Sequence, residues 1–154
     1  MSRVQLALNV SDLDEAVSFY SKLFGTEPAK IRPGYANFAV PDPPLKLVLI
    51  EDASARPGSL NHLGVEVATA DDVADAQRRL AREGLATAVE DEVTCCYAVQ
   101  DKVWVDGPDG EPWEVYTVLA DAEMPHGQLR STAPGEAMCC SSEPVGADRS
   151  SACC

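Results

Sequence analysis

The chain has 154 residues, 45% of them hydrophobic, which is enough to bury one core and is near the common size of a single domain. Its 12 basic and 25 acidic side chains give a net charge of 12 − 25 = −13, which argues against nucleic acid or an anionic membrane as a partner. The sequence shows no signal-peptide features and no apolar run of membrane-spanning length, so we expect a cytoplasmic protein.

The first predicted module is a strand, a helix and two further strands. Residues 4–10 alternate between an apolar and a more polar face, which indicates a half-buried strand. A helix is predicted to begin with a cap at Ser11 and to end at Gly25, because apolar residues recur between them at helical spacing. Strands over 35–40 and 45–51 follow, joined by a proline-rich turn.

The same order of elements returns after a short linker of turn-forming residues at 56–59. A second alternating strand starts at His62, and a second helix is predicted from a cap at Thr69 to a stop at Gly84. Further strands are predicted after this helix, over 86–89, 99–106 and 112–118. The repeated order indicates an internal duplication, in which Gln5 of the first strand matches His62 of the second module.

This duplication predicts one α+β domain over residues 1–120, with modules at about 1–55 and 60–120. If each helix packs on the apolar face of its own module's sheet, the opposite faces meet and form a cup. From about residue 121 the apolar periodicity disappears and Pro, Gly, Ser and Ala dominate. We therefore expect 121–154 to be a disordered tail.

All six cysteines occur as adjacent pairs: Cys95-Cys96, Cys139-Cys140 and Cys153-Cys154. Adjacent cysteines can join each other only through a strained ring, and thiols stay reduced in the cytoplasm. The pattern therefore indicates pairs of thiols and not a disulfide framework. For the two tail pairs, capture of a metalloid and an incidental position in a disordered segment both stay open.

Three side chains are predicted to converge on the inner face of the cup. Gln5 and His62 occupy matched positions on matched strands, and Glu114 lies on the polar face of the last strand. Aligning the two Pro-Asp turns places Leu47 at the module-one position that matches Glu114, so a fourth ligand is missing. Three oxygen and nitrogen ligands with open positions suit Fe(II), Mn(II) or Ni(II). Considered one at a time, the three residues could equally be ordinary hydrogen-bonding or solvated side chains. Their matched positions in the internal duplication favour a metal site instead.

Three segments resemble the vicinal-oxygen-chelate superfamily, which includes glyoxalase I, fosfomycin-resistance proteins and extradiol dioxygenases; they are residues 4–13, 61–67 and 106–116. The resemblance covers residues 1–120 and implies two tandem βαβββ modules that form a cupped, partly open mixed β-sheet barrel with the helices outside. It also implies metal ligation by Gln5, His62 and Glu114. The chain departs from the superfamily at Gln5, where most members have His.

Within the superfamily, Thr94-Cys95-Cys96-Tyr97 resembles the organoarsenical carbon-arsenic lyases and related cadmium-inducible proteins. This implies a lyase that depends on Fe(II) and dioxygen and binds a trivalent arsenical through Cys95 and Cys96. Soft thiolates suit thiophilic arsenic, and monomethylated As(III) has two replaceable positions. The alternative for the pair is two small core residues. Tyr97 and Lys102 are candidate catalytic residues of the same loop, with solvated loop residues as the alternative.

The sequence thus predicts an enzyme that converts methylarsenite or trivalent aromatic arsenicals to arsenite, for organoarsenical detoxification. One alternative is an arsenic- or cadmium-binding protein without turnover. A second is a metal-dependent thiol or fosfomycin-type transferase of the same fold. The sequence leaves open whether the two modules pair within one chain or are swapped between the chains of a homodimer.

Overall fold

The computed structural model describes residues 2–95 and 97–122, together with the backbone of residues 128–130 and 137–139. The main domain consists of β1 (Arg3–Val10), α1 (Leu13–Phe24), β2 (Lys30–Arg32), β3 (Tyr35–Val40), β4 (Leu45–Glu51), β5 (Leu60–Glu66), α2 (Ala70–Arg82), β6 (Ala88–Cys95), β7 (Ala98–Asp106) and β8 (Pro112–Asp121). Two short strands follow, β9 (Gln128–Arg130) and β10 (Ala137–Cys139).

Strands β1–β8 form one mixed sheet in the order β2-β3-β4-β1-β5-β8-β7-β6. Within each module the first and last strands pair in parallel, β1 with β4 and β5 with β8, and the other pairs are antiparallel. The sheet curls into a half-barrel with two helices. The predicted α+β class and the two βαβββ modules are therefore confirmed.

The modules join within the chain through the antiparallel pair β1–β5, and its register shows the duplication. Gln5 pairs with Gly64 and Ala7 pairs with His62, so Leu6 and Leu63 lie opposite each other at the centre. A pseudo-twofold axis through this central pair relates the two modules. It exchanges Gln5 with His62, as the sequence predicted.

Each helix covers the outer face of its own module. The α1 side of the sheet is a core of buried apolar residues: Leu13, Ala36, Phe38, Val40, Leu47 and Leu49. On α2, Val73, Ala76 and Leu80 pack against Val103 of β7. Because both helices occupy the outer faces, the inner faces of the sheet are free to enclose a site.

The helix ends agree with the sequence except at the start of α1. Its cap is Asp12 and not Ser11, because the Asp12 side chain accepts a 2.8 Å hydrogen bond from the Glu15 amide. The helix ends at Gly25, whose φ of 61° belongs to the left-handed region that glycine adopts readily. The capping box at Thr69, which opens α2, is confirmed.

Strand β6 reaches Cys95, so it is longer than the 86–89 segment that alternation predicted. Strand β2 was not predicted, since its three residues are too few to show a period. In the segment expected to be a disordered tail, Asp121 instead ends β8, and the Ala122 amide donates a 2.9 Å hydrogen bond to the Tyr97 carbonyl. The backbones of β9 and β10 pair with each other, and the other residues of 123–154 lie outside the described residues. Among the described residues, no helix is long and apolar enough to cross a membrane.

Candidate metal and thiol site

Three polar side chains meet on the inner face, where strands β1, β5 and β8 lie side by side. Gln5, His62 and Glu114 are only 4%, 6% and 3% exposed. Gln5 Nε2 lies 2.6 Å from Glu114 Oε1 and 2.9 Å from His62 Nε2. The distance between His62 Nε2 and Glu114 Oε1 is 3.3 Å. The structure thus brings together the three residues that the sequence suggested as metal ligands.

The His62 ring is held in the protonation form that a metal needs. Its Nδ1 lies 2.6 Å from Asn61 Oδ1, while the Asn61 amide nitrogen donates a 2.9 Å hydrogen bond to Asn9 Oδ1. Since Asn61 Oδ1 can only accept, the proton of the neutral ring is on Nδ1. The lone pair of Nε2 therefore faces Gln5 and Glu114, in the orientation that a metal ligand requires.

The cluster has room because a glycine, Gly64, lies next to two of its side chains. Gly64 lies on β5 between Gln5 and Glu114, and a Cβ at this position would come within 3.2 Å of both side chains. That distance is tighter than an ordinary van der Waals contact. Glycine therefore allows the amide and the carboxylate to meet, a role that was not predicted from the sequence.

A buried lysine balances the carboxylate. Lys102 Nζ, from a side chain that is 1% exposed, lies 3.0 Å from Glu114 Oε2. Burial alone would raise the pKa of Glu114, but the positive charge of Lys102, together with the hydrogen bond and charge that the His62 ring supplies when it is protonated on both nitrogens, outweighs it and lowers the pKa to about 2. Glu114 is thus an anion at any physiological pH, ready to bind a cation.

The Gln5 amide directs its nitrogen toward His62 and Glu114, while its oxygen accepts a 2.6 Å hydrogen bond from the Tyr116 hydroxyl. An amide binds a hard cation through oxygen. Ligation by Gln5 would therefore require the amide to rotate and exchange its two ends. The Tyr116 hydroxyl can accept as well as donate, so it can partner either end. With this rotation the three donors fit a divalent metal.

The strand register shows that the residue of module one that matches Glu114 is not the one predicted from the sequence. Glu114 pairs with Gly64, whereas Ala7, the counterpart of Gly64, pairs with Val48. The matching residue is therefore Val48, which lines the site, and not Leu47, which belongs to the outer core. Aligning the two turns was wrong by one residue, and such a shift changes the face of the sheet. Both residues are apolar, so module one still supplies no carboxylate here.

Cys95 is at the end of β6, is 6% exposed, and lines the same cavity as the three polar residues. The free room in this cavity is about 10 Å³, close to what one water-sized particle needs. A thiol and a three-donor cluster thus share one small buried space. Cys96 lies outside the described residues.

Tyr97 fixes the hairpin that follows Cys95 to the first module. Its φ of 63° is in the left-handed region, its hydroxyl donates a 3.1 Å hydrogen bond to the Pro33 carbonyl, and its ring packs 5.5 Å from that of Tyr35. Tyr97 does not line the cavity that Cys95 shares with Gln5, His62 and Glu114, whereas Lys102 does. Both side chains are buried, so the alternative of solvated loop residues is wrong.

Four further residues line the cavity wall without a role predicted from the sequence, namely Tyr35, Lys46, Gln100 and Trp104. Alternation along β7 could have found two of them, because Gln100, Lys102 and Trp104 share one face of that strand. Trp104 packs edge-on against the His62 ring, with the centroids 5.5 Å apart. It therefore limits how far this ring can move.

Comparison with known protein families agrees with this architecture. Residues 3–115 match the Glyoxalase/Bleomycin resistance protein/Dioxygenase superfamily. The chain belongs to this superfamily. The match covers both modules up to the strand that carries Glu114, and the family resemblance expected from the sequence is confirmed.

Curated relatives within this superfamily are similar over most of their length. The chain is 65% identical over 123 residues to a protein of Thermomonospora curvata named trivalent organoarsenical cleaving enzyme, covering 80% of this chain and 82% of the relative. It is 60% identical over 143 residues to the cadmium-induced protein CadI of Mycobacterium tuberculosis, covering 91% and 93%.

Two solved structures have the same fold at low identity. A Mn(II)-bound glyoxalase from Novosphingobium aromaticivorans has a TM-score of 0.56 and 21% identity, covering 79% of this chain and 42% of that one. An extradiol ring-cleaving dioxygenase from B. fuscum has the same TM-score and identity, covering 79% and 34%.

Proposed function

We propose that the chain is an Fe(II)- and dioxygen-dependent carbon-arsenic lyase that removes the organic group from trivalent organoarsenicals and releases arsenite. The observation that carries the proposal is the shared cavity, which is lined both by Cys95 and by the cluster of Gln5, His62 and Glu114. The names of the 65% and 36% identical relatives, both trivalent organoarsenical cleaving enzymes, support the substrate class.

Gln5 Oε1, His62 Nε2 and the Glu114 carboxylate would hold Fe(II), which supplies open positions for dioxygen activation when it is bound. Cys95 and Cys96 bind the arsenic as thiolates, in exchange for its hydroxyl groups. Lys102 neutralises Glu114 within the cluster, and its ammonium can also donate to a substrate held in the cavity that it lines. The buried position of the cavity keeps bulk water from the reacting carbon.

The overall reaction balances without a further reductant for the methyl substrate. Methylarsenite, CH3As(OH)2, and one O2 give As(OH)3 and formaldehyde: the C–As bond and the O–O bond break, and carbon and arsenic each gain oxygen. Carbon loses four electrons, dioxygen accepts four, and arsenic stays trivalent. An aryl substrate gives a phenol and arsenite and takes two more electrons from an added thiol reductant.

The test is anaerobic loading of the full chain with Fe(II), addition of methylarsenite, and then admission of air. We expect arsenite, formaldehyde and consumed O2 in equal amounts, with no product when either Fe(II) or O2 is withheld. Cys95→Ser, which keeps the three metal-binding side chains, is the matched control. Release of arsenite without oxygen would disprove the oxidative mechanism.

The similarity to cadmium-induced relatives favours a second candidate, a metal- or arsenic-binding protein without turnover. In that case methylarsenite and Cd(II) would bind in stoichiometric amounts, and the aerobic reaction would release no arsenite. The same experiment therefore distinguishes the two functions.

A further inference from the structure

A second row of polar side chains crosses the three central strands, two residues away from Gln5 and Glu114. Arg3 of β1 pairs with Glu66 of β5, and Glu66 pairs with Tyr116 of β8. We name these three residues the supporting row. Because side chains alternate along a strand, the supporting row faces the same inner side of the sheet as Gln5 and Glu114.

The supporting row forms a continuous series of contacts that ends at Gln5. Arg3 Nε donates a 2.6 Å hydrogen bond to Glu66 Oε2, and the same oxygen lies 3.5 Å from the Tyr116 hydroxyl. Tyr116 is fully buried, and its hydroxyl donates a 2.6 Å hydrogen bond to Gln5 Oε1. The hydroxyl proton thus has two acceptors within reach, a near one on Gln5 and a more distant one on Glu66.

Glu66 is suited to accept and not to donate. Burial would raise the pKa of its carboxyl, but the hydrogen bond from Arg3 and the positive charge of Lys46 outweigh this effect and lower the pKa below its usual value. The carboxyl is therefore ionised at neutral pH, and an ionised carboxylate is an acceptor only.

Metal ligation would change the hydrogen bond that Tyr116 needs. When the Gln5 amide turns its oxygen toward a cation, its nitrogen takes the place beside the Tyr116 hydroxyl. An amide nitrogen only donates, so the hydroxyl oxygen must accept and the hydroxyl proton must turn to another acceptor. Within the described part of the chain, Glu66 Oε2 is the other oxygen in contact with this hydroxyl. Without it, a buried hydroxyl would be left unsatisfied, which is costly.

The other ligand at the module junction, His62, is supported in the same way. Its Nδ1 is held by Asn61, whose amide nitrogen donates to Asn9. Asn9 follows Gln5 on β1 by four residues. Glu66 follows His62 on β5 by the same number. Each of these two strands therefore carries one ligand, together with a residue that contacts the other strand's ligand through one intermediate side chain.

We propose that Glu66 is a positioning residue that lets Gln5 bind metal through its oxygen, by accepting the hydrogen bond of the Tyr116 hydroxyl when the amide rotates. Arg3 holds the accepting oxygen in place. Glu66 is not one of the three proposed ligands and acts through Tyr116. The inference rests on the proposed function, because it requires a metal at the three-donor site, but it does not require an arsenical.

The test measures the affinity of the full chain for Co(II) by anaerobic titration, without arsenical, in two variants. Glu66→Gln removes the charge but keeps an acceptor for both neighbours, since Arg3 and Tyr116 contact the same oxygen. Glu66→Met removes the charge and the acceptor at similar size. We expect Glu66→Met to bind Co(II) about fivefold more weakly than Glu66→Gln, the effect of one hydrogen bond.

Gln5→His is the background that separates positioning from a general structural role. An imidazole has no amide ends to exchange, so metal binding no longer changes the partner of the Tyr116 hydroxyl. In this background, Glu66→Met and Glu66→Gln should bind Co(II) equally. Urea unfolding of the metal-free variants shows whether each one is folded. If Glu66→Met is not, Glu66→Leu also removes the acceptor and takes its place in both backgrounds.

Equal Co(II) affinity of Glu66→Met and Glu66→Gln would overturn the inference, and so would the same fivefold difference in the Gln5→His background. These outcomes are distinguishable from failure of the proposed function. If the parent binds Co(II) but the two variants bind it equally, only the role of Glu66 is wrong. If the parent binds no metal, both the site and the proposed function are wrong. Arsenite release by the Fe(II)-loaded parent in air is measured separately and does not depend on any variant.

Discussion

The two modules place very different side chains at matched positions of the inner sheet face. Module one has Val48 and Ile50 on its last strand, where module two has Glu114 and Tyr116. All four are buried. Module one therefore closes the cup with an apolar wall, while module two contributes the anion and its hydrogen-bond partner. Duplication supplies the geometry of the site, and divergence of one module would leave the proposed metal with open positions.

The first prediction concerns Glu114, the anion that module two contributes. Glu114→Ala should abolish binding of Fe(II) or Co(II), and it should also destabilise the chain by about 3–5 kcal/mol, because Lys102 loses its buried carboxylate partner. His62→Ala should likewise abolish metal binding with a smaller loss of stability. Anaerobic metal titration and urea unfolding measure the two effects. Retained stoichiometric metal in either variant would show that the ligands are elsewhere.

The second prediction separates arsenic binding from metal binding within module two. Cys95→Ser should lose most turnover of methylarsenite, because one remaining thiol no longer chelates the arsenic. The bound metal should be unchanged, since its three ligands lie on β1, β5 and β8. Metal content and arsenite release are measured on the same sample. Turnover equal to that of the parent would make Cys95 an ordinary core residue.

The third prediction makes β5 of module two like β1 of module one. Gly64→Ala introduces the residue that module one has at Ala7, and its Cβ would lie 3.2 Å from side-chain atoms of Gln5 and Glu114. We expect a loss of stability of about 1 kcal/mol from overpacking. Metal affinity should fall about tenfold as the two ligands move apart. Anaerobic titration checks this, and unchanged affinity would show that the ligands adjust freely.

The fourth prediction concerns the dependence of stability on pH. Glu114 of module two can be titrated, whereas its counterpart in module one, Val48, has no titratable group. The pKa of Glu114 is lowered from 4.5 to about 2 in the folded chain. Ionised Glu114 therefore adds stability that is fully present above about pH 4.5 and is lost as the pH falls toward 2. The free energy of unfolding of metal-free protein, measured with urea, should fall more steeply toward acid pH in the parent than in Glu114→Gln. Parallel curves would contradict a lowered pKa.

Much of this architecture could be predicted because it repeats a pattern along the chain. Alternation and turn residues located β3 and β4 to the residue, and the duplication matched Gln5 with His62. Details that depend on tertiary partners could not be predicted. The orientation of the Gln5 amide depends on Tyr116, 111 residues away, and the choice between Leu47 and Val48 depends on a one-residue difference in register.

The final prediction has the smallest expected effect and restores the symmetry between the modules. Gln5→His places an imidazole at the position that matches His62, and imidazole is a good ligand for Fe(II). A histidine needs no exchange of amide ends, so metal affinity should stay the same or rise several-fold. Tyr116 would lose the Gln5 oxygen that now accepts its hydroxyl proton, but Glu66 Oε2, 3.5 Å away, can accept it instead.

Gln5→Leu is the matched control, because it removes the ligand and should weaken binding. Anaerobic Fe(II) titration of the parent and both variants measures the order of affinities. If Gln5→His binds metal no better than Gln5→Leu, the side chain at this position does not reach the metal, and the site rests on module two alone.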